Sequence, residues 1–507
     1  MFRDRDFQLE DGMPGRPEEL SQDLELGTLF NAMAADDAFL LKVVKAAVLA
    51  SLTEPENILY RQQILSDCLE FSDITRDLYA LTVEAYDREK KMWGWLSSPS
   101  PGYVLRRAAD ALEMFLELLH QLRRIADDHG AKFRSEGFRR FFEMIVRELD
   151  DDYLQVVKSH LERLEFPGGV LMSADLGSDF RGIHYVLHRL DVKKLRWFEQ
   201  LQEWITAART ETGYTFTLSD RDEAGFNALK DLKAQGIAHV AAAIDQSANH
   251  ILSFFNRLRI ELAFYVGCLN LRDRLLQKGE PLCLPDPIRV DEPTLVCQGL
   301  YDVCLSLNMA NRVVGNSVRG ENRSLLMITG ANRGGKSTFL RSAGLAQLMM
   351  QCGMFVPAES FSANVSCGIF THFKREEDAT MKSGKLDEEL ARMSAIVEKI
   401  TPHSIIFLNE SFASTNEREG SEIARQIVRA LLEMNVKVVY VTHMFDLAQS
   451  FFQNGSNFAL FLRAERLDDG QRTFRLLEGE PLPTSYGKDL FWRIFQTEPD
   501  NLQHLVQ

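Results

Sequence analysis

Apolar residues recur along the chain with two different periods, and the change of period divides the sequence into two regions. Up to about residue 290 the apolar positions follow helical spacing, as they do at residues 39–44. Beyond that point, short apolar runs with strand character alternate with helical patterns. Because apolar strands separated by helices require a mostly parallel sheet covered on both faces, the second region is predicted to be α/β and the first mainly α-helical.

Breaks in these patterns predict three domains. A helical core is predicted over residues 1–100, and lever helices are predicted over residues 101–284, with a short β-containing insertion at about 168–220. Pro285 and the residues after it mark the start of the α/β domain, which is predicted over residues 285–507. A length of 507 residues is sufficient for about three domains, each with a core of its own.

The bulk composition excludes several classes of protein. No run of about 18 apolar residues is present, so neither a membrane-spanning helix nor a membrane partner is expected. The charged N-terminal sequence lacks the apolar segment of a secretory signal, and the seven cysteines form no C-x-x-C pair. These features predict a cytoplasmic protein without a disulfide framework or a zinc site. The net charge of −15 argues against indiscriminate binding of nucleic acid, although a local basic surface remains compatible with it.

The most informative motif is GANRGGKS at residues 330–337, which follows an apolar run at 325–329 and precedes a helical pattern. Strand, G-x-x-x-x-G-K-[ST] and helix in that order make a P-loop, in which glycines let backbone N–H groups surround phosphates. Lys336 would contact the β- and γ-phosphates, and the Ser337 hydroxyl would bind Mg²⁺. The positions predicted to bind the nucleotide are Gly330, Asn332, Gly334, Gly335, Lys336, Ser337 and Thr338.

Two further apolar runs, at residues 405–408 and 436–441, end in polar side chains at the sheet edge where α/β proteins bind ligands. Glu410 is predicted to be the catalytic group that orients or deprotonates an attacking water. Asn409 takes the place of the Asp that usually supports Mg²⁺ through water, so metal binding or turnover would be weaker. His443 is predicted to sense the γ-phosphate, and a capped turn is the alternative.

These motifs resemble those of the MutS family of ABC-type ATPases over residues 286–493. The segment NESFASTNEREG at 409–420 resembles the family's D-E-[IL]-G-R-G-T-S-x-x-D-G block, and VTHMFDL at 441–447 resembles its T-H motif. The segment IFTHFKREED at 369–378 matches the family's T-R-[IV]-G-A-x-D in part, and TSYG at 484–487 resembles the S-Y-G that closes the domain. The resemblance implies ATP and Mg²⁺ bound across a dimer, with each site completed by a signature loop from the partner.

The resemblance also implies roles for residues outside the P-loop. The family's signature is S-T-F-M followed by an acidic position, whereas this chain has SGKLDE at 383–388. Ser383 would act in trans as a ligand of the γ-phosphate bound by the partner. Lys385 replaces an aromatic residue and would either sense that phosphate or begin a helix as a solvated lysine. Asn316 matches the family's purine-contacting asparagine ahead of the P-loop.

The first 284 residues resemble the core and levers of MutS proteins by pattern alone. The insertion lies where these proteins carry a DNA clamp, and it has apolar runs with strand character at 170–172, 183–187 and 214–218. Its basic residues would contact DNA phosphates without sequence preference, or would form ordinary charged surface. They are Arg181, His184, His188, Arg189, Lys193, Lys194 and Arg196. The family's mismatch-reading domain with its Phe-x-Glu motif is not expected, because the helical pattern begins within about 25 residues of Met1.

The leading hypothesis is a MutS-like ATPase that binds duplex, mismatched or branched DNA and uses ATP binding and hydrolysis as a conformational switch in DNA repair or recombination. It would act as a homodimer and could bind repair proteins. The alternative is an ATP-gated interaction protein with weak hydrolysis that recruits protein partners without direct DNA binding. Asn409, the altered signature loop and the acidic balance favour this alternative, and a salt-dependent affinity for DNA would count against it.

Overall fold

The computed structural model describes two compact units, and each is considered by itself. The first unit contains residues 1–76, 133–139 and 260–507, and the second contains residues 77–132 and 140–259. Within these units the described residues are 2–9, 17–92, 100–164, 171–176, 182–188, 223–375, 384–453, 457–467 and 472–482. The three predicted domains stay a prediction.

The first unit begins with short helices whose starts follow local chemistry. The Asp37 carboxylate accepts hydrogen bonds from the backbone N–H groups of Phe39 at 2.7 Å and Leu40 at 2.9 Å, which caps one helix. Pro55 opens the next helix, where its missing N–H has no cost. These helices are α1 (Pro17–Asp23), α2 (Leu26–Ala34), α3 (Ala38–Leu49) and α4 (Pro55–Glu70).

The second unit is helical and contains one β-hairpin. Its longest internal helix buries apolar residues three or four positions apart, such as Leu112, Phe115, Leu119 and Leu122, on one face. The elements are α5 (Ser72–Met92), α6 (Pro101–His129), α7 (Glu136–Glu148), α8 (Asp151–Leu164), β1 (Leu171–Leu176), β2 (Gly182–His188) and α9 (Glu223–Gln277). Of these, α5, α7 and α9 are shared with the first unit.

The structure confirms two of the three strands predicted in the insertion. β1 and β2 pair antiparallel, with Met172 opposite Leu187. The third predicted strand, at 214–218, lies outside the described residues. Two of the predicted DNA-contacting residues, His184 and His188, are part of β2. The others lie outside the described residues: Arg181, Arg189, Lys193, Lys194 and Arg196.

Two sheets form the α/β part of the first unit. Their strands are β3 (Asp286–Ile288), β4 (Leu295–Leu300), β5 (Asn316–Gly320), β6 (Leu325–Gly330), β7 (Ser360–Asn364), β8 (Ile369–Phe373), β9 (Ile405–Asn409), β10 (Lys437–Val441), β11 (Ala459–Arg466) and β12 (Arg472–Glu478). The larger sheet has the order β12-β11-β6-β10-β9-β8, and the smaller one has the order β3-β7-β4-β5. In the larger sheet all neighbours are parallel except β11 and β12. The predicted alternation of apolar strands and helices is therefore confirmed.

Helices cover both faces of the larger sheet. The helices described in this part of the first unit are α10 (Val303–Asn308), α11 (Lys336–Gln351), α12 (Lys385–Val397), α13 (Glu417–Glu433) and α14 (Phe445–Gln453). Val428 of α13 packs in one apolar cluster with Ile406 and Tyr440 of the central strands. On α11, a Cβ at Gly344 would lie 3.7 Å from the Phe407 ring, which points to the opposite face from Ile406. None of the described helices combines the length and the apolar character needed to cross a bilayer.

Candidate nucleotide site

The carboxyl ends of three neighbouring strands bring the predicted site residues together. β10 lies between β6 and β9, and Val441 at its end pairs with both Ile328 and Asn409. The P-loop follows the end of β6, His443 follows β10 and Glu410 follows β9. The edge that the sequence pattern predicts as a site is thus one continuous surface of the larger sheet.

The loop at residues 330–337 closely approaches two other strands. A Cβ at Gly334 would lie 2.6 Å from the Cβ of Ala464 on β11. Gly335 has a φ of +87°, and a Cβ there would lie 3.2 Å from the carbonyl oxygen of Phe474 on β12. Both positions therefore require glycine, and the loop backbone leads directly into α11, which begins at Lys336.

The remaining loop positions differ in exposure. Asn332 is exposed in the turn of the loop, whereas Thr338 is half-buried in the first turn of α11. The Thr338 carbonyl accepts a hydrogen bond of 2.7 Å from the Ser342 hydroxyl. Gly330, at the end of β6, has a φ of +107° and pairs with Ala464. The predicted roles of these residues in nucleotide binding stay predictions.

Lys336 is buried at the centre of the loop. Its Nζ donates hydrogen bonds to the carbonyl oxygens of Gly330 at 3.0 Å and Ala331 at 2.9 Å. Burial holds the pKa of Lys336 below its usual value, the nearby Glu410 carboxylate opposes that shift, and the charge of Arg472 adds to it. The ammonium group is thus held in position inside the loop by two backbone acceptors.

Ser337 and Asn409 meet across the gap between the loop and β9. The Ser337 hydroxyl donates a hydrogen bond of 2.9 Å to the amide oxygen of Asn409. Hydroxyl and amide oxygens are hard ligands of the kind that Mg²⁺ accepts, although neither carries a charge. Among the described residues, no group of three or more His, Cys, Asp and Glu side chains could hold a metal ion. By their chemistry, the two oxygens fit a metal that takes most of its other ligands from water and phosphate.

Glu410 and His443 form the third part of the site. The Nδ1 atom of His443 lies 3.9 Å from Oε1 of Glu410, and the two side chains are 39% and 31% exposed. The backbone N–H of Glu410 donates a 2.8 Å hydrogen bond to Val441, and that of Thr442 donates a 3.0 Å bond to Ile328. These bonds tie both strand ends together, so the carboxylate and the imidazole face the same solvent-accessible edge.

Asn316 lies at the start of β5, where its side chain bridges to β12. Its Nδ2 donates to the carbonyl of Phe474 at 3.1 Å, and its Oδ1 accepts from the N–H of Leu476 at 2.7 Å. The side chain is 7% exposed. In this structure Asn316 orders the strand beside the P-loop, and its predicted contact with a purine stays a prediction.

Two residues of β12 belong to the site although the sequence pattern did not single them out. Phe474 has a φ of +60°, and its side chain is 49% exposed beside Gly335. Arg472 is half-buried, and its Nε is buried without a hydrogen-bond partner among the described residues. Both lie more than a hundred residues beyond the P-loop, so no local signal in the sequence connects them to it.

The signature segment is placed only in part. Ser383 lies outside the described residues, and its predicted role in trans stays a prediction. Lys385 is the first residue of α12. This position is compatible with both alternatives, a lysine that senses phosphate and a solvated lysine that begins a helix.

Two family models match the chain. The model of the MutS2 N-terminal domain matches residues 53–278, which include the predicted insertion. The model of MutS domain V matches residues 326–490, which include the P-loop, Asn409, Glu410 and His443. The two matches thus divide the chain at the transition from helical to α/β pattern.

Curated relatives carry names from the same family. The chain is 24% identical over 305 residues to "MutS protein homolog 4" of Mus musculus, covering 59% of this chain and 30% of that protein. It is 31% identical over 165 residues to "DNA mismatch repair protein MutS" of Chloroflexus aurantiacus, covering 32% and 17%. It is 26% identical over 274 residues to "DNA mismatch repair protein Msh6" of Gallus gallus, covering 48% and 20%. The matched part spans less than a third of the length of each of these relatives. Because the family models match both regions and the relatives agree with them, the chain belongs to the MutS family.

Proposed function

We propose that this chain is an ATPase that binds ATP and Mg²⁺ at the edge formed by β6, β10 and β9. The observation that carries the proposal is the convergence of a buried lysine, a hydroxyl–amide pair and a carboxylate–imidazole pair on neighbouring strand ends. A phosphate, a divalent cation and an attacking water each need one of these groups. Their arrangement supports phosphoryl transfer to water.

The loop would hold the phosphates through its backbone and Lys336. The glycines at 334 and 335 keep the loop backbone free of side chains, so its N–H groups can approach phosphate oxygens closely. α11 starts at Lys336 and adds the partial positive charge of a helix N-terminus. The half-buried guanidinium of Arg472 supplies a second positive charge close to Lys336.

Ser337 and Asn409 would hold Mg²⁺, with Asn409 acting through water. When bound, Mg²⁺ would neutralise charge on the β- and γ-phosphate oxygens. The amide oxygen of Asn409 offers a dipole where a carboxylate would offer a full charge, so the metal is held more weakly than by an Asp. Slow turnover is the expected consequence.

Glu410 would orient the attacking water and accept its proton. Its carboxylate is partly exposed at the end of β9, and its backbone is fixed to β10 by the bond to Val441. His443, with Nδ1 3.9 Å from that carboxylate, would contact the γ-phosphate. The exposed ring of Phe474 beside Gly335 would provide an apolar surface for the base, and Asn316 would support that ring by fixing β12.

We infer that the complete function is an ATP-controlled switch that binds DNA without sequence preference as a homodimer. Membership of a family whose matched relatives are named DNA mismatch repair proteins supports this inference. ATP would change the affinity for DNA only by the difference in its own affinity for the two conformational states. Contacts of the γ-phosphate with His443 and with Ser383 of the other copy would supply that difference.

A second candidate function is an ATP-gated protein that recruits repair proteins without binding DNA. Two observations favour it: the uncharged Asn409 at the metal position and the net charge of −15. Weak hydrolysis would prolong the ATP-bound state, and an acidic surface would disfavour phosphate contacts.

Hydrolysis of ATP with duplex, mismatched and four-way DNA distinguishes the two candidates. The full chain is assayed with and without each DNA at two salt concentrations, beside the Glu410→Ala variant. Stimulation that declines with salt and is absent in the variant supports the DNA-binding ATPase. If the protein binds ATP but none of the three DNA structures changes the rate of hydrolysis, the DNA-binding ATPase is excluded and the recruiting function is favoured.

A further inference from the structure

A buried polar network lies directly behind Glu410. Ser411 and His372 are both fully buried, and the Ser411 Oγ lies 2.8 Å from Nδ1 of the His372 ring. The other ring nitrogen, Nε2, lies 3.0 Å from the carbonyl oxygen of Glu389 on α12. The ring also stacks on Phe412, with centroids 5.4 Å apart. One histidine therefore joins the residue after Glu410 to a helix of another part of the sequence.

The chemistry of the partners determines the tautomer of His372. A carbonyl oxygen only accepts hydrogen bonds, so Nε2 must carry the hydrogen that is donated to Glu389. Burial lowers the pKa of His372 to about 4, so the ring is neutral at physiological pH and Nδ1 carries no hydrogen. The single hydrogen of the Ser411 hydroxyl then has two acceptors within reach, Nδ1 at 2.8 Å and the backbone carbonyl oxygen of His372 at 2.7 Å. Both belong to His372, so the hydroxyl joins the turn to this residue in either orientation.

Glu389 also reaches the same turn by a second route. Its carboxylate accepts a hydrogen bond of 2.9 Å from the Ser414 hydroxyl. Glu389 is therefore connected to both ends of the segment 411–414. Its backbone carbonyl is linked to Ser411 through His372, and its side chain contacts Ser414 directly. Any displacement of α12 at Glu389 acts on the turn that follows the catalytic glutamate.

The backbone of this turn is strained and needs such support. Glu410 and Phe412 have φ values of +51° and +64°, a backbone conformation that residues other than glycine rarely adopt. The Tyr440 hydroxyl donates a 2.6 Å hydrogen bond to the carbonyl of Ser411, which fixes the turn from β10. Left-handed residues on both sides of Ser411 persist only where the surroundings hold them.

Both members of the network depart from the family motifs that surround them. His372 stands at the arginine position of T-R-[IV]-G-A-x-D, and Ser411 stands at the Ile or Leu position of D-E-[IL]-G-R-G. The two departures are in contact, 2.8 Å apart.

We propose that His372 is a positioning residue that couples the orientation of Glu410 to α12 through Ser411. The proposal deepens the ATPase function and rests on it, because Glu410 must be the hydrolytic group. α12 begins at Lys385, inside the signature segment 383–388, so the network connects this segment to the turn after Glu410.

The activity test uses His372→Gln and Ser414→Ala, each in the full chain. Gln keeps a donor for the Glu389 carbonyl and removes the ring nitrogen that lies beside Ser411, while Ser414→Ala removes the second route at a half-buried position. Ser404→Ala is the matched control, because this buried serine lies at the opposite end of β9. We expect kcat for ATP to fall about 10-fold or more with KM within about 2-fold of the wild type, because a small misplacement of a catalytic group costs rate and leaves ground-state binding.

A second readout does not depend on hydrolysis. Amide hydrogen exchange of residues 410–414 should accelerate in both variants, remain unchanged in Ser404→Ala, and remain unchanged in β6 of all three proteins. If the wild type fails to hydrolyse ATP, the proposed function is wrong and exchange alone decides whether the network fixes the turn. The positioning role is overturned if hydrogen exchange is unchanged in both variants. It is also overturned if the wild type hydrolyses ATP and both variants keep its kcat.

Discussion

The two sides of the candidate site differ in how closely they follow the family pattern. The phosphate side, residues 330–337, keeps every defined position of G-x-x-x-x-G-K-[ST], and its glycines lie directly against β11 and β12. The catalytic side departs at many defined positions, and among them Asn409, His372 and Ser411 stand in place of Asp, Arg and an aliphatic residue.

The difference reflects what each side needs. The phosphate side depends on backbone N–H groups and on a close approach that only glycine permits, so few sequences satisfy it. The catalytic side depends on side-chain contacts, which several residue types can make, as His372 and Ser411 do at 2.8 Å. We therefore expect ordinary nucleotide binding together with altered turnover.

The largest effect is expected for Glu410→Gln. Loss of the carboxylate should lower kcat about 10²- to 10⁴-fold, because general base catalysis contributes on that order, while ATP remains bound. Single-turnover hydrolysis and equilibrium ATP binding measure the two quantities separately. The exposed Glu433→Gln, at the end of α13, is the charge-matched control. A kcat that falls by the same factor in both variants would contradict the assignment of Glu410.

Lys336→Ala should weaken ATP binding about 10- to 100-fold, because it removes a charge-assisted hydrogen bond worth roughly 1.5–3 kcal/mol. This variant tests the phosphate side, as Glu410→Gln tests the catalytic side. Equilibrium titration with labelled ATP measures the dissociation constant. The exposed Lys399→Ala serves as the control for loss of a positive charge. Equal affinities of the two variants would show that the loop does not hold the phosphates.

Asn409→Asp should increase the affinity for Mg²⁺ about 10-fold in the presence of ATP, because a carboxylate adds a full charge next to the cation. Asn409→Ala should lower that affinity, since it removes the oxygen that accepts from Ser337 at 2.9 Å. Titration of ATPase rate or of ATP affinity with Mg²⁺ distinguishes the two. If Asp and Ala behave alike, residue 409 is not a metal ligand.

The smallest effect on the site is expected at Lys437, which lies at the far end of β10. Its buried Nζ donates to the carbonyl of Thr294 and to Asn364, and burial lowers its pKa to about 7. The unfolded chain binds this proton more tightly, so the wild type should lose about 1 kcal/mol of unfolding free energy per pH unit as the pH falls from 9 toward 7. Below pH 7 this contribution is constant.

Lys437→Met should remove that slope while leaving ATP binding at the strand ends unchanged. The difference in unfolding free energy between wild type and variant, measured by denaturant titration at several pH values, isolates this one group. A difference that is independent of pH between 7 and 9 would show that the folded-state pKa of Lys437 is not depressed.

The elements, and the positions of Lys336, Glu410 and His443 after strand ends, were predictable because they depend on local spacing. Apolar runs at β6, β9 and β10 correspond to the strands, and the polar residues that follow them occupy the carboxyl edge. The strands β1 and β2 were predicted on the same basis and are confirmed, and the structure adds that they pair antiparallel. A motif such as 330–337 is contiguous, so its chemistry can be read without knowing the strand order.

Contacts between distant segments could not be predicted in this way. The amide of Asn316, for example, forms hydrogen bonds with Phe474 and Leu476 in a strand about 160 residues later. The approach of Arg472 to Lys336 likewise depends on the pairing of β12 with β11, and of β11 with β6. The period of the apolar residues along a strand specifies which face of the sheet each residue occupies. It does not specify which strand lies beside it.

The sequence by itself thus determined the helical and α/β regions, the phosphate loop and the three strand ends that meet at it, because each is a property of residues adjacent in the chain. Only the tertiary structure decided that β12 lies beside the P-loop and that His372 joins Ser411 to α12. Those relations follow from the order β12-β11-β6-β10-β9-β8 and from burial, which set the hydrogen-bond partners of each polar side chain.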